Sequence, residues 1–511
     1  MSESVDIVVI GGGPAGSAIA RLLAQWGHPV RVVTRAVDPA RGAAESLPPT
    51  TRKLLATIGV LDAIDRAGFY RTTGNTVWWG QRDGEVEKFA AVAADALETV
   101  SSGYQVLRPE FDRLLLTSAS EAGADVICDA HVHRVHLSPT DRPDGHGPAS
   151  GARIDYHRDG QSETTIECRV ALDCSGRAGV IARQGFRRHQ PGYRTQAFIG
   201  VWQSASGWNL PDETHTLVET YEDGWAWSVP VSPTLRQVGV AVDGATTRIR
   251  RGPTLHATYR AELGKTREIG ALMSGAALDR VWACDASLYS AHPPAGPQFL
   301  LIGDAASAID PLSSFGVKKA LASAWVGAVA VRTCLRHRDR QQVALDFFSN
   351  WERQVYGANL RRSVEFAREA YSRHPHPFWA ERAAVDVDAA TEEIDEEALL
   401  RAPDVVRAFE RLKASAAVEF ALSDGVALKK RPLIHDREIA LQDALVLPGA
   451  PDGIRFLAGV DLLKLAAMAG GHRQVPDLFE AYCRTFGAVS LGSFLGTLSL
   501  LVARGVLTTR E

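Results

Sequence analysis

The sequence lacks any clustering of its cysteines. Cys128, Cys168, Cys174, Cys284, Cys334 and Cys483 are scattered over 511 residues with no CxxC spacing. That excludes a disulfide framework and the usual cysteine-based zinc sites, and it fits a reducing compartment. Charge of one sign is also lacking: 56 Lys and Arg stand against 60 Asp and Glu. Nothing in this balance calls for nucleic acid or an anionic membrane as a partner. Apolar runs are short. The first, Val5 to Ile10, is too brief for a signal-peptide core and leads straight into glycines. Thr485 to Ala503 is uncharged over a spanning length, but Gly487, Ser490, Gly492, Ser493, Gly496, Thr497 and Ser499 dilute it. A buried C-terminal helix or helix pair is expected there, with no membrane span and a cytoplasmic location. There is no GxSxG elbow and no Walker A loop. In the one local histidine cluster, His131, His133 and His136, the first two would share a strand face, but the loop beyond them supplies no third ligand at a recognised spacing, so no metal site is expected.

What is present begins with a β–turn–α opening. Val5 to Ile10 reads as a strand buried on both faces, Pro14 to Gln25 as a helix of small residues, and Val30 to Val33 as a second strand. Residues 50–66 read as helical, as does Arg108 to Ala122, with a strand at Ala124 to Cys128. The Pro- and Gly-rich stretch 139–152 reads as a surface turn. Strand-like alternation dominates 195–245, and Phe299 to Ile302 leads into a second glycine turn and a long helix. Beyond about 375 the pattern is mostly helical. Glu396 to Arg411 is amphipathic and divided at Pro403, and the acidic run at Glu392, Glu393, Asp395, Glu396 and Glu397 reads as a solvated face. A chain of this length needs at least two structural units.

Gly11, Gly13 and Gly16 satisfy GxGxxG, with Ala15 inside the motif, between an apolar strand and a helix. In that context the glycines permit a tight turn and close backbone approach, and the helix N-terminus offers amides to a pyrophosphate. The acid expected at the end of the second strand, which would hold a ribose, is replaced by Thr34 and Arg35. Thr34 is left a weaker hydrogen bond, and Arg35 either stacks on adenine or pairs with a 2′-phosphate, as in NADP.

Three later segments follow in order: Arg108 opening a helix with Phe111, Asp112 and Leu115; Val170 to Arg177, strand then turn; and Phe299 to Ala306 preceding Asp310 to Val317. Together with the glycine loop they resemble the FAD-dependent aromatic hydroxylase superfamily, the para-hydroxybenzoate hydroxylase fold, over roughly residues 5–335. The resemblance implies an α/β chain: a Rossmann-type, glutathione-reductase-like FAD domain, a β-sheet substrate domain and a helical C-terminal unit. It places the FAD parts at about 1–80, 105–185 and 285–340. The substrate sheet falls at about 80–105 and 185–285, and a separate domain at 376–511. FAD is thereby preferred over NADP. Asp304 is implied at the ribityl chain, Arg108 near the phosphates, and the turn of Pro311, Gly316 and Val317 at the flavin pyrimidine. Asp173 and Arg177 are implied in the shared flavin and nicotinamide region.

Two further segments resemble the tryptophan-halogenase branch of that superfamily. Glu45-Ser46-Leu47-Pro48-Pro49 sits where those enzymes approach the isoalloxazine, and Gly224-Trp225-Ala226-Trp227-Ser228-Val229-Pro230 is similar to their Trp-x-Trp-x-Ile-Pro signature. Trp225 and Trp227 share one strand face and would equally serve as core. The pattern departs at 68–79, where halogenases carry a lysine. This chain has no lysine there, and Arg71 is the nearest cation. Lys53, Lys318 and Lys319 lie elsewhere.

The resemblance therefore implies a flavin monooxygenase acting through a flavin C4a-hydroperoxide on an aromatic substrate, indole or tryptophan, free or in a partner polypeptide. Electrons would come from NAD(P)H or reduced flavin, and oxygen from O2. Glu45 is the expected proton-handling group, and Trp225 and Trp227 the aromatic wall. Halogenation, double-bond reduction and a non-catalytic flavin-binding maturation role are the alternatives.

Overall fold

The computed structural model describes residues 3–36, 42–80, 84–89, 102–138, 151–158, 161–245, 247, 253–387, 396–415 and 417–510. The turn expected at 139–152 lies almost wholly outside the described residues, and so do Glu392, Glu393 and Asp395. The chain forms two compact units, Met1–Thr391 and Glu392–Glu511.

In the first unit the opening strand, Glu3–Ile10, lies at the centre of a parallel sheet. It pairs with Thr164–Asp173 on one side and Val30–Val33 on the other. Phe299–Leu301 and Asp125–Ile127 extend the sheet outward in parallel. Ile7, Val8 and Val9 are fully buried: Val8 packs with residues of strands Ala130–Leu137 and Ala152–Arg158, so the run meets protein on both faces and reads as continuously apolar. Helix Pro14–Gln25 packs on helices Gly316–Arg336 and Arg108–Glu121. The close approach favours small residues: a Cβ on Gly327 would lie 3.3 Å from Ile19 Cδ1 of the first helix. The helix expected over 50–66 is two, Thr51–Ile58 and Leu61–Arg66, because Gly59 is left-handed (φ +80°) and ends the first.

The second sheet has seven strands in the order Ala277–Asp285, Thr195–Gln203, Leu235–Asp243, Gly224–Ser232, Thr216–Tyr221, Gly74–Trp78 and Glu85–Lys88. Gly103–Leu107 is not part of it. That strand forms a three-stranded sheet with Ala44–Leu47 and Tyr70–Thr72. The seven-stranded sheet buries Trp202, Trp208 and Tyr221 on one face with Tyr259 and Ile269 of two short helices. On the other face Trp225 and Val218 pack with Ala367, Ala370, Phe378 and Trp379. The Trp379 indole donates to Tyr221 O at 2.8 Å, and Arg382 donates to Arg194 O at 3.1 Å. These contacts hold helix Pro377–Ala383 in the first unit, so the boundary follows Thr391 rather than 375.

The second unit is not purely helical. Helices Pro403–Ala414, Leu462–Ala469, Val475–Phe486 and Leu491–Ala503 share it with an antiparallel sheet of Leu428–His435, Glu438–Leu447 and Ala450–Ile454. Pro403 starts its helix, after a break from Glu396–Arg401. Among the described residues no single helix is long and apolar enough to cross a membrane. The bent pair Val475–Phe486 and Leu491–Ala503 (109°) passes that test together, and Phe494, Leu498, Leu500 and Leu501 are buried in this unit's core.

Candidate active site

The glycine loop is shaped by contacts that no side chain could accommodate. Gly11 is left-handed (φ +102°), and a Cβ there would lie 2.6 Å from Cys174 O. A Cβ on Gly16 would lie 1.9 Å from Gly11 O. Gly13 differs: its missing Cβ has only Arg108 Nη2 at 3.7 Å and Asp112 Oδ2 at 3.8 Å nearby, so it leaves room for a ligand. The helix that follows has Pro14 in its first turn, no side-chain cap and no acid there. Its first amides are thus offered to an anion.

Above this loop runs a groove of about 690 Å³. Gly11, Gly13, Ala15, Thr34 and Arg35 line one part of it, Glu45, Arg108 and Asp112 another, and Asp304, Gly316 and Val317 a third. Strand pairing builds the middle part. Glu45 stands opposite Val106 in register, and Arg108 follows that strand immediately as the first residue of its helix. Gln237 of the large sheet accepts the Ala44 N–H at 2.6 Å and donates to Gly42 O at 2.9 Å, anchoring the Glu45 strand. Arg108 grips Asp112, one helical turn on, with two hydrogen bonds of 2.9 Å, and its Nη1 lies 3.5 Å from Glu45 Oε1. Burial alone would lower the Arg108 pKa, but Asp112, Glu45 and Asp304 outweigh it and hold the guanidinium above its ordinary value. The surrounding protein pushes the Glu45 carboxyl up; Arg108 opposes this, while Asp304 and Asp112 reinforce it.

Asp304 sits on the short turn Gly303–Ala305, where Gly303 is left-handed (φ +64°). Gly316 and Val317 start the helix after the turn Pro311–Ser313, which Asp310 caps by accepting the Leu312 N–H at 3.0 Å. An arginine and free helix amides suit a diphosphate, a carboxylate at the far part suits hydroxyl groups, and Gly13 leaves space between them. The groove volume is that of a cofactor site. These residues fit FAD.

Several expected positions have their polar groups committed to the frame or lie off the groove surface. The Thr34 hydroxyl accepts the Gly12 N–H at 3.0 Å and donates to Arg35 O at 3.2 Å, so its proton is spent on the backbone and not on a ribose. Ser46 is buried and does not line the groove, because successive strand residues face opposite ways and Glu45 takes that side. Pro311 is exposed outside the lining. Asp173 is fully buried, and its carboxylate accepts from Ser175 N, Ser175 Oγ, Ile181 N and Ala182 N at 2.6–3.2 Å. It shapes the loop and leaves Ser175 and Gly176 to line the groove. Arg177 donates to Ser287 O at 2.6 Å, with its guanidinium 5.2 Å from the Tyr289 ring. Trp225 and Trp227 lie outside the groove lining. Their rings are 4.9 Å apart, Trp225 is buried, and Trp227 is half-buried in the cluster that also holds Leu312 and Phe366.

The cations near the expected lysine position are committed. Arg71 is paired with Asp65 Oδ1 at 2.6 Å and stacked 4.2 Å over Tyr104, and Arg52 donates to both Asp65 oxygens at 2.9 Å. Arg52 first, then Tyr104 and Arg71, keep the Asp65 carboxyl well below the usual range. Lys319 is buried on backbone carbonyls. His131 also lines the groove, which its place on a polar strand did not indicate. Asp112 was findable, since an acid four residues after an arginine on a helix is set to pair with it. Among the described residues no group of three or more His, Cys, Asp or Glu could hold a metal ion.

Residues 4–342 match the family described as FAD binding domain. A tryptophan 2-halogenase from Chondromyces crocatus is 29% identical over 386 residues, covering 74% of this chain and 70% of the relative. The flavin-dependent halogenase CmlS shares the fold with a TM-score of 0.74 at 24% identity, covering all of this chain and 96% of its own. The peptidyl tryptophan dihydroxylase QhpG does so with a TM-score of 0.65 at 24% identity, covering 98% and 99%.

Proposed function

The chain belongs to the FAD binding domain family, in its tryptophan-halogenase-like branch of FAD-dependent enzymes, and on that premise we propose that it hydroxylates an electron-rich aromatic ring as a monooxygenase. Indole, as free tryptophan or as a tryptophan of a partner polypeptide, is the preferred group. The bound FAD, reduced by NAD(P)H or by separately supplied reduced flavin, provides oxygen activation from O2. Arg108 and the amides of helix Pro14–Gln25 hold its diphosphate, Asp304 its ribityl chain, and Gly316 and Val317 the pyrimidine end. Glu45 keeps its proton to a higher pH than an exposed glutamate, which suits proton handling at the groove wall. Trp225 is buried with Trp79 in a packed cluster that Trp227 and Phe366 border, so it acts as core and not as a wall of the groove.

The observation that carries oxygen transfer over halogenation is the fate of Arg71. It occupies the segment where halogenases carry a lysine, and it is locked to Asp65 as a guanidinium that cannot become a neutral amine. One observation favours the second reading, halogenation. Lys318 stands half-buried 4.9 Å over the Phe315 ring beside the flavin turn, with its pKa lowered by burial and then by Arg362. Anaerobic reduction of the FAD-loaded protein, then oxygen with tryptophan, simple indoles and tryptophan peptides, with and without bromide, separates the two. A mass gain of one oxygen independent of bromide supports hydroxylation. Bromine in the product overturns it.

A further inference from the structure

Lys319 and Glu352 come from two different helices, Gly316–Arg336 and Gln341–Arg373, and meet where solvent does not reach, their side chains 2% and 3% exposed. Lys319 Nζ donates to Gly303 O at 2.7 Å and to Ser307 O, and stands 3.9 Å from Glu352 Oε2. Glu352 accepts from Ser323 Oγ and, at 3.5 Å, from Ser307 Oγ. Ser323 Oγ in turn accepts the Gly303 N–H at 2.9 Å. The carbonyl and the amide of Gly303 are therefore both held by one buried network, and Gly303 is the left-handed residue before Asp304. Asp304 itself is tied at its carbonyl by the Tyr289 hydroxyl at 2.8 Å.

A buried ion pair rarely repays its own desolvation, so stability is a poor reason for placing one here. Geometry is a better reason. A single ammonium with three donors can reach two carbonyls and a carboxylate at once, which no neutral side chain of that length does. We propose that Lys319 and Glu352 are positioning residues that set the Gly303–Ala305 turn so that the Asp304 carboxylate meets the ribityl chain of FAD. This rests on the reading that the groove binds FAD with Asp304 at that chain. Neither residue touches substrate, and the commitment of Lys319 to the turn removes it as a source of a reactive amine.

The test uses the full-length apoprotein and two titrants, FAD and ADP. ADP carries the adenosine diphosphate half but has no ribityl chain for Asp304 to hold. The variants are Lys319→Met, Glu352→Gln and the double change Lys319→Met with Glu352→Leu. The double change leaves no orphaned buried charge and guards against simple misfolding. The expected result is FAD affinity lowered by about tenfold or more in each variant, with ADP affinity within about twofold of the parent. A merely structural role would lower both together, and that outcome overturns the proposal. Unchanged FAD affinity in the double variant also overturns it. If the parent protein itself binds ADP but not FAD, the FAD reading has failed and takes this inference with it.

Discussion

Arg108 is a single positive charge among three carboxylates. Asp112 orients it, Glu45 stands on its other side, and Asp304 faces the same groove. An incoming diphosphate would use donors already pointed by Asp112. Arg108→Met should weaken FAD binding by about ten- to hundredfold, as loss of a charge-assisted contact does. Fluorescence titration of the apoprotein measures this, and an unchanged affinity would remove Arg108 from the diphosphate site. Glu45 allows a second prediction at this scale. Its folded pKa is raised, so folding favours the protonated carboxyl. That contribution is present below the ordinary glutamate value and is lost as pH rises through the raised value. Glu45→Gln should flatten the fall in urea midpoint across that window. Parallel curves for parent and variant would contradict the assignment. Glu45 and Arg108 were legible as cofactor-region residues through resemblance, but their ion pair was not. It depends on the antiparallel register that sets Glu45 opposite Val106, about sixty positions away in the chain.

At the scale of elements, the glycine loop was the most legible part because its constraints are local. The missing Cβ of Gly16 lets the first helix start within reach of Gly11 O. Gly16→Ala should force the two apart and abolish retention of FAD on purification, seen as loss of the flavin absorbance at equal protein. A yellow, fully loaded variant would refute that packing argument. The hairpin Leu428–His435 to Glu438–Leu447 was not legible. Its turn uses Asp436 and Arg437, both left-handed (φ +47° and +66°), instead of the Asn-Gly or Asp-Gly pair that announces such turns. Leu428 and Leu441 are exposed in its strands, so the alternation of apolar inside and polar outside is blurred as well.

At the scale of the whole molecule, each unit has its own core, and perturbations should report separately. FAD at about a hundredfold over its dissociation constant should stabilise the unit that holds the groove by about 2.7 kcal/mol. Leu498, fully buried in the second unit, should cost that unit roughly 2–5 kcal/mol when changed to Ala. Calorimetry of parent and Leu498→Ala proteins, with and without FAD, tests this. The idea fails if Leu498→Ala lowers the FAD-shifted transition and leaves the other in place.

The order of strand, glycine loop, helix and later acidic turn was determined by the sequence alone, and with it the α/β class and the FAD family. Those signals are short-range: a period of apolar residues, or a glycine where a side chain would strike backbone. Only the tertiary structure decided what each charged or aromatic group does. It assigned Arg71 to Asp65, Lys319 to the Gly303 turn, Asp173 to its own loop, and Trp225 to a packed sheet face. Each assignment depends on which distant segment lies alongside. That is settled by strand register and helix packing summed over the whole core, and no local stretch of sequence encodes it.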